Sequence, residues 1–323
     1  MAQFTIYRST DASAPTVSGT AGSVTGLLDA CLCDGYGSQS AAGWTKAFTA
    51  TNRRAYRNGS GSTQLYWRVR DDAGGTGGAK EALIRGFEAM TDVNTGTNPF
   101  PTSAQSSLTD NSWVIRKSTT ADATARSWIV VADAKTCYVF IASGDQANTY
   151  YACALGDFYS VVSGDAWNAC LVARSVENSS TVSISGAGNG DLDFVVGWGT
   201  SQNGNVVARS YTGTGGALGA IKVATWNQNV LGNTGGTASL GFLPYPNAAD
   251  SSIYLSRVFI GSASSPVHLR GYHRGLWGWC HSGGVNDGDT FNGSGDLAGK
   301  TFLIIKNSPN QGLFVIETSN TLP

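Results

Sequence analysis

The chain has 323 residues, 41% of them apolar, a length that accommodates about two domains. Lys, Arg, Asp and Glu make up only 13%, roughly half the share of about 25% in ordinary domains. With a formal net charge of −1, the molecule as a whole is not steered to nucleic acid or to an anionic membrane, and nine Trp, twelve Tyr and twelve Phe exclude disorder. Forty-two glycines and abundant Ser, Thr and Asn predict a mainly β chain: Gly-rich antiparallel sandwich or barrel-like sheets with many tight turns.

In chain order, a short strand is expected over Phe4–Tyr7. Val24, Leu27, Leu28, Cys31 and Leu32 then recur at helical spacing, which predicts one short helix with Ser23 as N-cap and Gly35 and Gly37 as its end. Strands follow at Trp44–Phe48, Ala55–Arg57 and Gln64–Asp71. Ala79–Thr91 is ambiguous: Leu83, Ile84, Phe87 and Met90 fit a helix, but the preceding glycines and Gly86 favour a strand over Glu81–Met90. Asn94–Pro101 reads as a loop. Trp113–Lys117 is expected to begin the central sheet.

The centre of that sheet is the stretch RSWIVVADAKTCYVFIASGD, Arg126–Asp145. Two apolar runs flank the polar link Asp133–Lys135, so it reads as a hairpin. Trp128 and Val130 oppose Ile129 and Val131, while Cys137, Val139 and Ile141 oppose Tyr138 and Phe140. Both faces are apolar, which predicts cover on both sides. Tyr150–Leu155, Phe158–Val162 and Ala169–Ala173 are expected to extend this sheet. The polar gap Glu177–Ser180 divides a β-rich domain over 1–176 from a second over 181–323. Strands in the second are expected at Thr181–Ile184, Phe194–Gly197, Val206–Tyr211, Ile221–Ala224, Ile253–Ile260, Val267–Leu269 and Leu276–Trp279. Lys300–Ile305 and Gly312–Glu317 form a last pair around Asn307–Gln311.

The chemistry-bearing residues are few. His268, His273 and His281 fall in one window, HLRGYHRGLWGWCH, beside Cys280, but their spacings match no common zinc pattern. The bland reading is an aromatic–arginine surface. Arg270, Tyr272, His273, Arg274, Trp277 and Trp279 form the amphipathic group enriched at interfaces, and they are the candidate contact residues; such a group also stacks on sugar rings. Asn286–Asp296 and Gly188–Asp193 carry oxygens for calcium but miss the ligand spacing, so turn-forming Asx residues account for them. Gly213–Gly219 misses the phosphate-loop pattern by one residue. No G-x-S-x-G nucleophile elbow occurs. Asp157, Asp165, Asp191, Asp193, Asp287 and Asp289 are the only pool for a paired-carboxylate hydrolase. Arg53, Arg54, Arg57, Arg68 and Arg70 read as outward charges flanking strands. The scattered cysteines read as buried free thiols. The opening MAQFTIYRSTD lacks a basic n-region and an apolar h-region, which predicts synthesis and folding in a cytosol, and no segment approaches the ~18 apolar residues of a membrane span.

The opening MAQFTIYRSTDASAPTVSGTAGSVTGLLDACL, followed by DGYGS, AAGWTKAF and the Tyr66–Asp71 strand, resembles a family of virion structural proteins of tailed bacteriophages. RSWIVVADAKTCYVFI, GDFYS, HLRGYHRGLWGWCH and GKTFLII with GLFVIETSN fit the same resemblance. The departures are Cys31, Cys33 and Cys280, where apolar or small residues are expected. The resemblance implies a place in the particle, in head or tail, with contacts to major capsid or tail proteins and to further copies of the chain. Its motifs are structural and bring no active-site residue with them. The expectation is therefore a non-enzymatic particle component, decoration-type or tail-associated, made in the host bacterial cytoplasm. It needs no metal or cofactor and has no membrane or specific nucleic-acid partner. A glycan-binding adhesin built on Tyr272, Trp277 and Trp279 is the alternative, and a glycan hydrolase the more distant one.

Overall fold

The structure, a computed structural model, describes residues 3–142, 144, 150–175, 177, 205–210, 212–213, 222–224, 245–261, 268–279, 281, 285–306 and 313–319. The first part holds β1 (Thr5–Arg8), helix α1 (Ser23–Leu28), β2 (Thr45–Ala50), β3 (Arg53–Arg57), β4 (Tyr66–Arg70), β5 (Glu81–Met90), β6 (Gly96–Phe100) and β7 (Trp113–Arg116). Next come β8 (Trp128–Ala132), β9 (Thr136–Ile141), β10 (Tyr151–Asp157), β11 (Tyr159–Ser160), β12 (Ala169–Val172), β13 (Asn205–Val207) and β14 (Lys222–Ala224). The last strands are β15 (Leu255–Gly261), β16 (Leu269–Trp279), β17 (Thr290–Asn292), β18 (Thr301–Lys306) and β19 (Leu313–Glu317).

These strands form three antiparallel sheets, and none closes into a barrel among the described residues. The central sheet has the order β1-β8-β9-β10-β12-β13. The second runs β2-β3-β4-β5-β6, with β7 also on β5. The third runs β14-β15-β16-β19-β18-β17, with β11 also on β16. The hairpin β8–β9 lies at the middle of the central sheet, with Val130 opposite Val139. One of its faces, Trp128, Val130, Cys137, Val139 and Ile141, packs with Leu27, Tyr56, Trp67, Ile84 and Trp113 of α1 and the second sheet. The other face, Ile129, Val131, Tyr138 and Phe140, packs with Val258, Ile260, Leu276, Leu303, Ile305 and Ile316 of the third. The chain is thus a three-layer stack, and the two-sided apolar alternation of the hairpin is the cause. Each such side chain contributes roughly 1.5–3 kcal/mol when withdrawn from water. An outer cluster of Trp277, Trp279, Phe302, Ile304 and Val315 lies on the far side of the third sheet.

Several expectations are corrected. Gly96–Phe100 is a strand, held by pairing with the C-terminal half of β5. β7 does not lead into the hairpin sheet; it pairs with the N-terminal half of β5. Phe158–Val162 does not continue the central sheet, because Tyr159 and Ser160 cross to β16. Leu269–Trp279 is one bulged strand rather than two short ones. Its glycines read as turns, yet Gly275 takes φ 61° where the register to β15 shifts between Arg257 and Phe259.

α1 spans only six residues and continues as a π-helical turn, Asp29–Asp34, which still places Cys31 and Leu32 in the core. Ser23 is not its cap: its hydroxyl donates to the Ser18 carbonyl at 2.8 Å. The amides of Val24 and Thr25 instead donate to Asp71 Oδ2 at 2.8 and 3.4 Å. Asp71 is fully buried and paired with the Lys117 ammonium, so a carboxylate from the end of β4 caps a helix 46 residues earlier.

The expected strands Thr181–Ile184 and Phe194–Gly197 lie outside the described residues, as do the Asn307–Gln311 link, Gly188–Asp193 and most of Gly213–Gly219 and Glu177–Ser180. The last pair forms as expected, β18 with β19. Strand pairings connect the two halves of the chain: β12 pairs with β13, and β11 with β16. No helix among the described residues is long and apolar enough to cross a membrane.

Candidate binding cleft at the junction of the three sheets

β10 ends where the backbone is crowded. Gly156 has φ 116°, and a Cβ there would lie 2.3 Å from the Lys135 carbonyl oxygen, so only glycine lets the strand pass the β8–β9 turn. After Asp157 the chain leaves the central sheet. Tyr159 pairs with Tyr272 on the third sheet, and the loop then returns to β12. This excursion walls a cleft of about 560 Å³, closed on its other sides by Gly61–Thr63 of the β3–β4 loop, by Lys135 and by Arg274.

Two carboxylates line it. Asp157 Oδ1 accepts from Asn58 Nδ2 at 2.9 Å and Thr63 Oγ1 at 2.6 Å, and its Oδ2 accepts from the Thr63 amide at 2.9 Å. Burial raises its pKa, while those donors pull the other way. Asp165 Oδ2 accepts from Ser160 Oγ at 2.7 Å and Arg270 Nη2 at 2.8 Å, and its Oδ1 from the Trp167 amide at 3.0 Å. Burial raises the pKa of Asp165 too, but there the donors prevail and hold it below the usual carboxylate range. Both carboxylates thus tie elements together: Asp157 joins β10 to the β3–β4 loop, and Asp165 joins the excursion to β16.

The candidate contact residues separate onto two sides of β16. Arg270, His273 and Arg274 point inward and are buried. Arg270 donates to the Arg209 carbonyl at 2.7 Å as well as to Asp165. Arg274 forms a two-pronged pair with Asp133, Nη1 to Oδ1 at 2.9 Å and Nη2 to Oδ2 at 2.7 Å, and also reaches Thr136 Oγ1 at 2.9 Å. The His273 ring lies beside Tyr138, centroids 6.0 Å apart, and burial pushes its pKa down to about 3. Trp277 and Trp279 face the other way but are covered, 5% and 2% exposed, by packing with Phe302 and Phe291. Only Tyr272 retains partial access. The group is therefore chiefly an internal one, because one side of β16 lies against the central sheet and the other is covered by Phe291 and Phe302.

The histidines do not converge: His273 lies between sheets, whereas His281 Nε2 accepts from the Tyr254 amide at 2.6 Å. Cys280 lies outside the described residues, as do Asp191 and Asp193. Among the described residues no three of His, Cys, Asp and Glu lie together as a metal site. Asp287 accepts from Tyr150 Oη at 2.8 Å, and Asp289 accepts the Asn286 amide at 2.7 Å as a local turn. In the arginine-rich stretch Arg53 and Arg70 hold Asp72, Arg54 holds Asp29, and Arg68 holds Asp110. The other described cysteines are free and, apart from half-buried Cys33, buried.

Tyr159, Ser160, Asn168, Lys135 and Arg257 were not singled out in the sequence. Arg257 lies over Tyr272 at 4.3 Å and Trp277 at 4.0 Å, a role set by strand register. Of the cleft lining, Asp157, Asp165 and Arg274 are marked in the sequence, each for a separate reason, but nothing in their spacing brings them together. No protein-family model and no curated protein matches the chain.

Proposed function

We propose that this protein is a structural component of a tailed-phage particle, decoration-type or tail-associated, working through contacts with neighbouring subunits. The sequence resemblance supports this, and so does one structural observation. Tyr159 lies opposite Tyr272 on β16, and Tyr272 opposite Phe259 on β15, so three aromatic residues cross adjacent strands of the third sheet. Tyr159 and Phe259 are exposed, as are the adjoining Val161 and Leu269. Scattered exposed apolar residues are ordinary; a row of them along paired strands is the kind of surface that a partner covers. The occupant in this reading is an adjacent virion subunit, and the contact is cohesive rather than catalytic. Each carboxylate of the cleft already accepts three hydrogen bonds that tie elements together, which agrees with a structural role for them, since a hydrolase needs one carboxyl free to transfer a proton and another to attack or activate water.

Quantitative mass spectrometry and immunogold microscopy of purified particles test the reading. Hundreds of copies over the head mean decoration, and a few dozen at one end mean a tail position. Absence from particles overturns the proposal. Phe259→Ser with Leu269→Ser is expected to lower incorporation while leaving the fold intact.

A further inference from the structure

The cleft itself is not needed for subunit cohesion, and its chemistry is that of a ligand site. We propose that it binds a neutral saccharide, with the Tyr159 ring as the stacking wall and Asp157, Asp165 and Asn168 as hydroxyl acceptors. This inference does not rest on the particle reading: Tyr159 belongs to both surfaces, and the saccharide is tested on the free chain, where that ring is uncovered.

The volume, about 560 Å³, lies within the roughly 300–1,000 Å³ of small-molecule sites. The acceptor capacity is unfilled. A carboxylate offers about four lone-pair sites, and Asp157 and Asp165 each accept three hydrogen bonds. Asp157 Oδ2 and Asp165 Oδ1 each hold a single donor, a backbone amide. Asn168 Nδ2 donates to the Phe158 carbonyl at 2.6 Å, and its Oδ1 lies on the same cleft-lining side chain. Acceptors with room for a further donor, beside the ammonium of Lys135, suit a polyol, whose hydroxyls both donate and accept, and bonds to an ionised acceptor are the stronger kind.

The charge excludes an anionic ligand as the preferred one. Asp133, Asp157 and Asp165 stand against Lys135, Arg270 and Arg274, and two of the cations are already paired, Arg270 with Asp165 and Arg274 with Asp133. An acidic sugar would meet carboxylates with no surplus positive charge. The stacking wall is preformed: Tyr159 lies against Tyr272, centroids 4.6 Å apart and 22° between planes, and is 39% exposed. A Cβ built on Gly164 would meet nothing within 4 Å, so that side is open to a ligand. The arrangement differs from a stacking platform of Trp277 and Trp279, which are covered.

The test is saturation-transfer NMR on the purified full chain with the methyl glycosides of glucose, galactose, mannose, N-acetylglucosamine and rhamnose. Glucuronate and N-acetylneuraminate serve as acidic counterparts. At least one neutral glycoside is expected to receive saturation, with a dissociation constant on the order of 1 mM. Tyr159→Ala should weaken it at least tenfold, and Ala166→Trp, which places an indole at an exposed cleft position, should abolish it. Both variants should keep the wild-type thermal midpoint within a few degrees, and Asn168→Ala offers a second acceptor test if Tyr159→Ala does not fold. Saturation of none of the neutral glycosides, binding of the acidic sugars alone, or binding that survives both variants overturns the proposal. None of these outcomes depends on whether the chain is found in particles.

Discussion

The Asp133–Arg274 pair is a buried, two-pronged tie between the central and third sheets, and its removal has a size that follows from its surroundings. Both side chains are buried, 5% and 3% exposed. Breaking a buried pair by removing one partner costs about 3–5 kcal/mol, because a charge is left without compensation. The two ends are unequal. With Arg274→Met, Asp133 Oδ1 still accepts the Lys135 amide at 2.9 Å and the Thr136 amide at 2.8 Å, which places that variant near the lower figure. With Asp133→Ala, Arg274 keeps only Thr136 Oγ1, whose own hydrogen goes to the Asp157 carbonyl. What the turn loses is one acceptor atom, Oδ1, which leaves two amide donors unpaired, and that variant belongs near the upper figure. At about 2–4 °C per kcal/mol for a large domain, the thermal midpoint should fall by about 6–20 °C. Urea melts followed by tryptophan fluorescence give both single values and the double. The double variant should be less destabilised than the sum of the singles by at least about 1.5 kcal/mol, within the range seen for contacting residues. Singles below about 1 kcal/mol, or a double that is simply additive, would refute the claim that this pair joins the two layers.

His273 should make stability depend on acid. Its folded pKa, about 3, lies below the free value of about 6.5, so between those limits the unfolded chain binds the extra proton. Its contribution is present above pH 6.5 and is lost as pH falls toward 3, with a slope of up to about 1.4 kcal/mol per pH unit. Urea midpoints of wild type and His273→Asn between pH 4 and 7 should converge as pH falls; parallel curves would count against it. Gly271→Ala brings a Cβ to 1.9 Å from the Tyr159 carbonyl oxygen, and backbone cannot swing aside, so a loss of about 1–3 kcal/mol is expected. Unchanged stability would mean that β11 does not pair there. Burial pushes the thiols of Cys31, Cys137, Cys153 and Cys170 up, and that of Cys33 to about 12. At pH 7 a maleimide should label these five only after urea is added, as read by peptide mass spectrometry; rapid native labelling of Cys137 would contradict its place in the core.

The layers of the fold were legible where one residue decides its own environment. The hairpin β8–β9 shows two apolar faces in sequence, and each face meets a different sheet. Glu81–Met90 is a strand despite its helical spacing, since Gly86 and the glycines before it removed the helical advantage. What could not be read were facts that depend on a distant partner. Gly96–Phe100 contains Asn98 and Pro99, which look like a turn until β5 pairs with it. Ser23 has the chemistry of a cap, yet Asp71 takes that place because the end of β4 reaches the helix first. The cleft follows the same rule. Gly61–Thr63, Lys135, Asp157–Asn168 and Arg274 are brought together by three sheets, and no spacing announces such a meeting. The arginine and histidine of β16 looked outward because charge is usually outside; sheet packing placed them between layers.

That placement changes what the low charge content means. A chain with few charged residues looks as though it can bury a core without ionic complications, yet several of its charges stand at the seams between layers. Asp133 meets Arg274 between the central and third sheets, and Asp165 meets Arg270 where the excursion docks. Glu88 of the second sheet meets Arg209 beyond β13, while Glu81 and Arg116 pair within the second sheet itself. Apolar faces of Val, Ile and Leu attract without preferring one offset over another. A slip of one residue would move each strand's whole side-chain set to the other face, and a two-pronged Arg–carboxylate pair tolerates no such slip. The stack therefore divides the work: apolar alternation drives the layers together, and the buried pairs select the register in which they meet. The double-mutant cycle at Asp133 and Arg274 measures the second contribution. If the pairs select register, replacing both partners by apolar residues should leave much of the stability but broaden the amide NMR spectrum of the β16 neighbourhood.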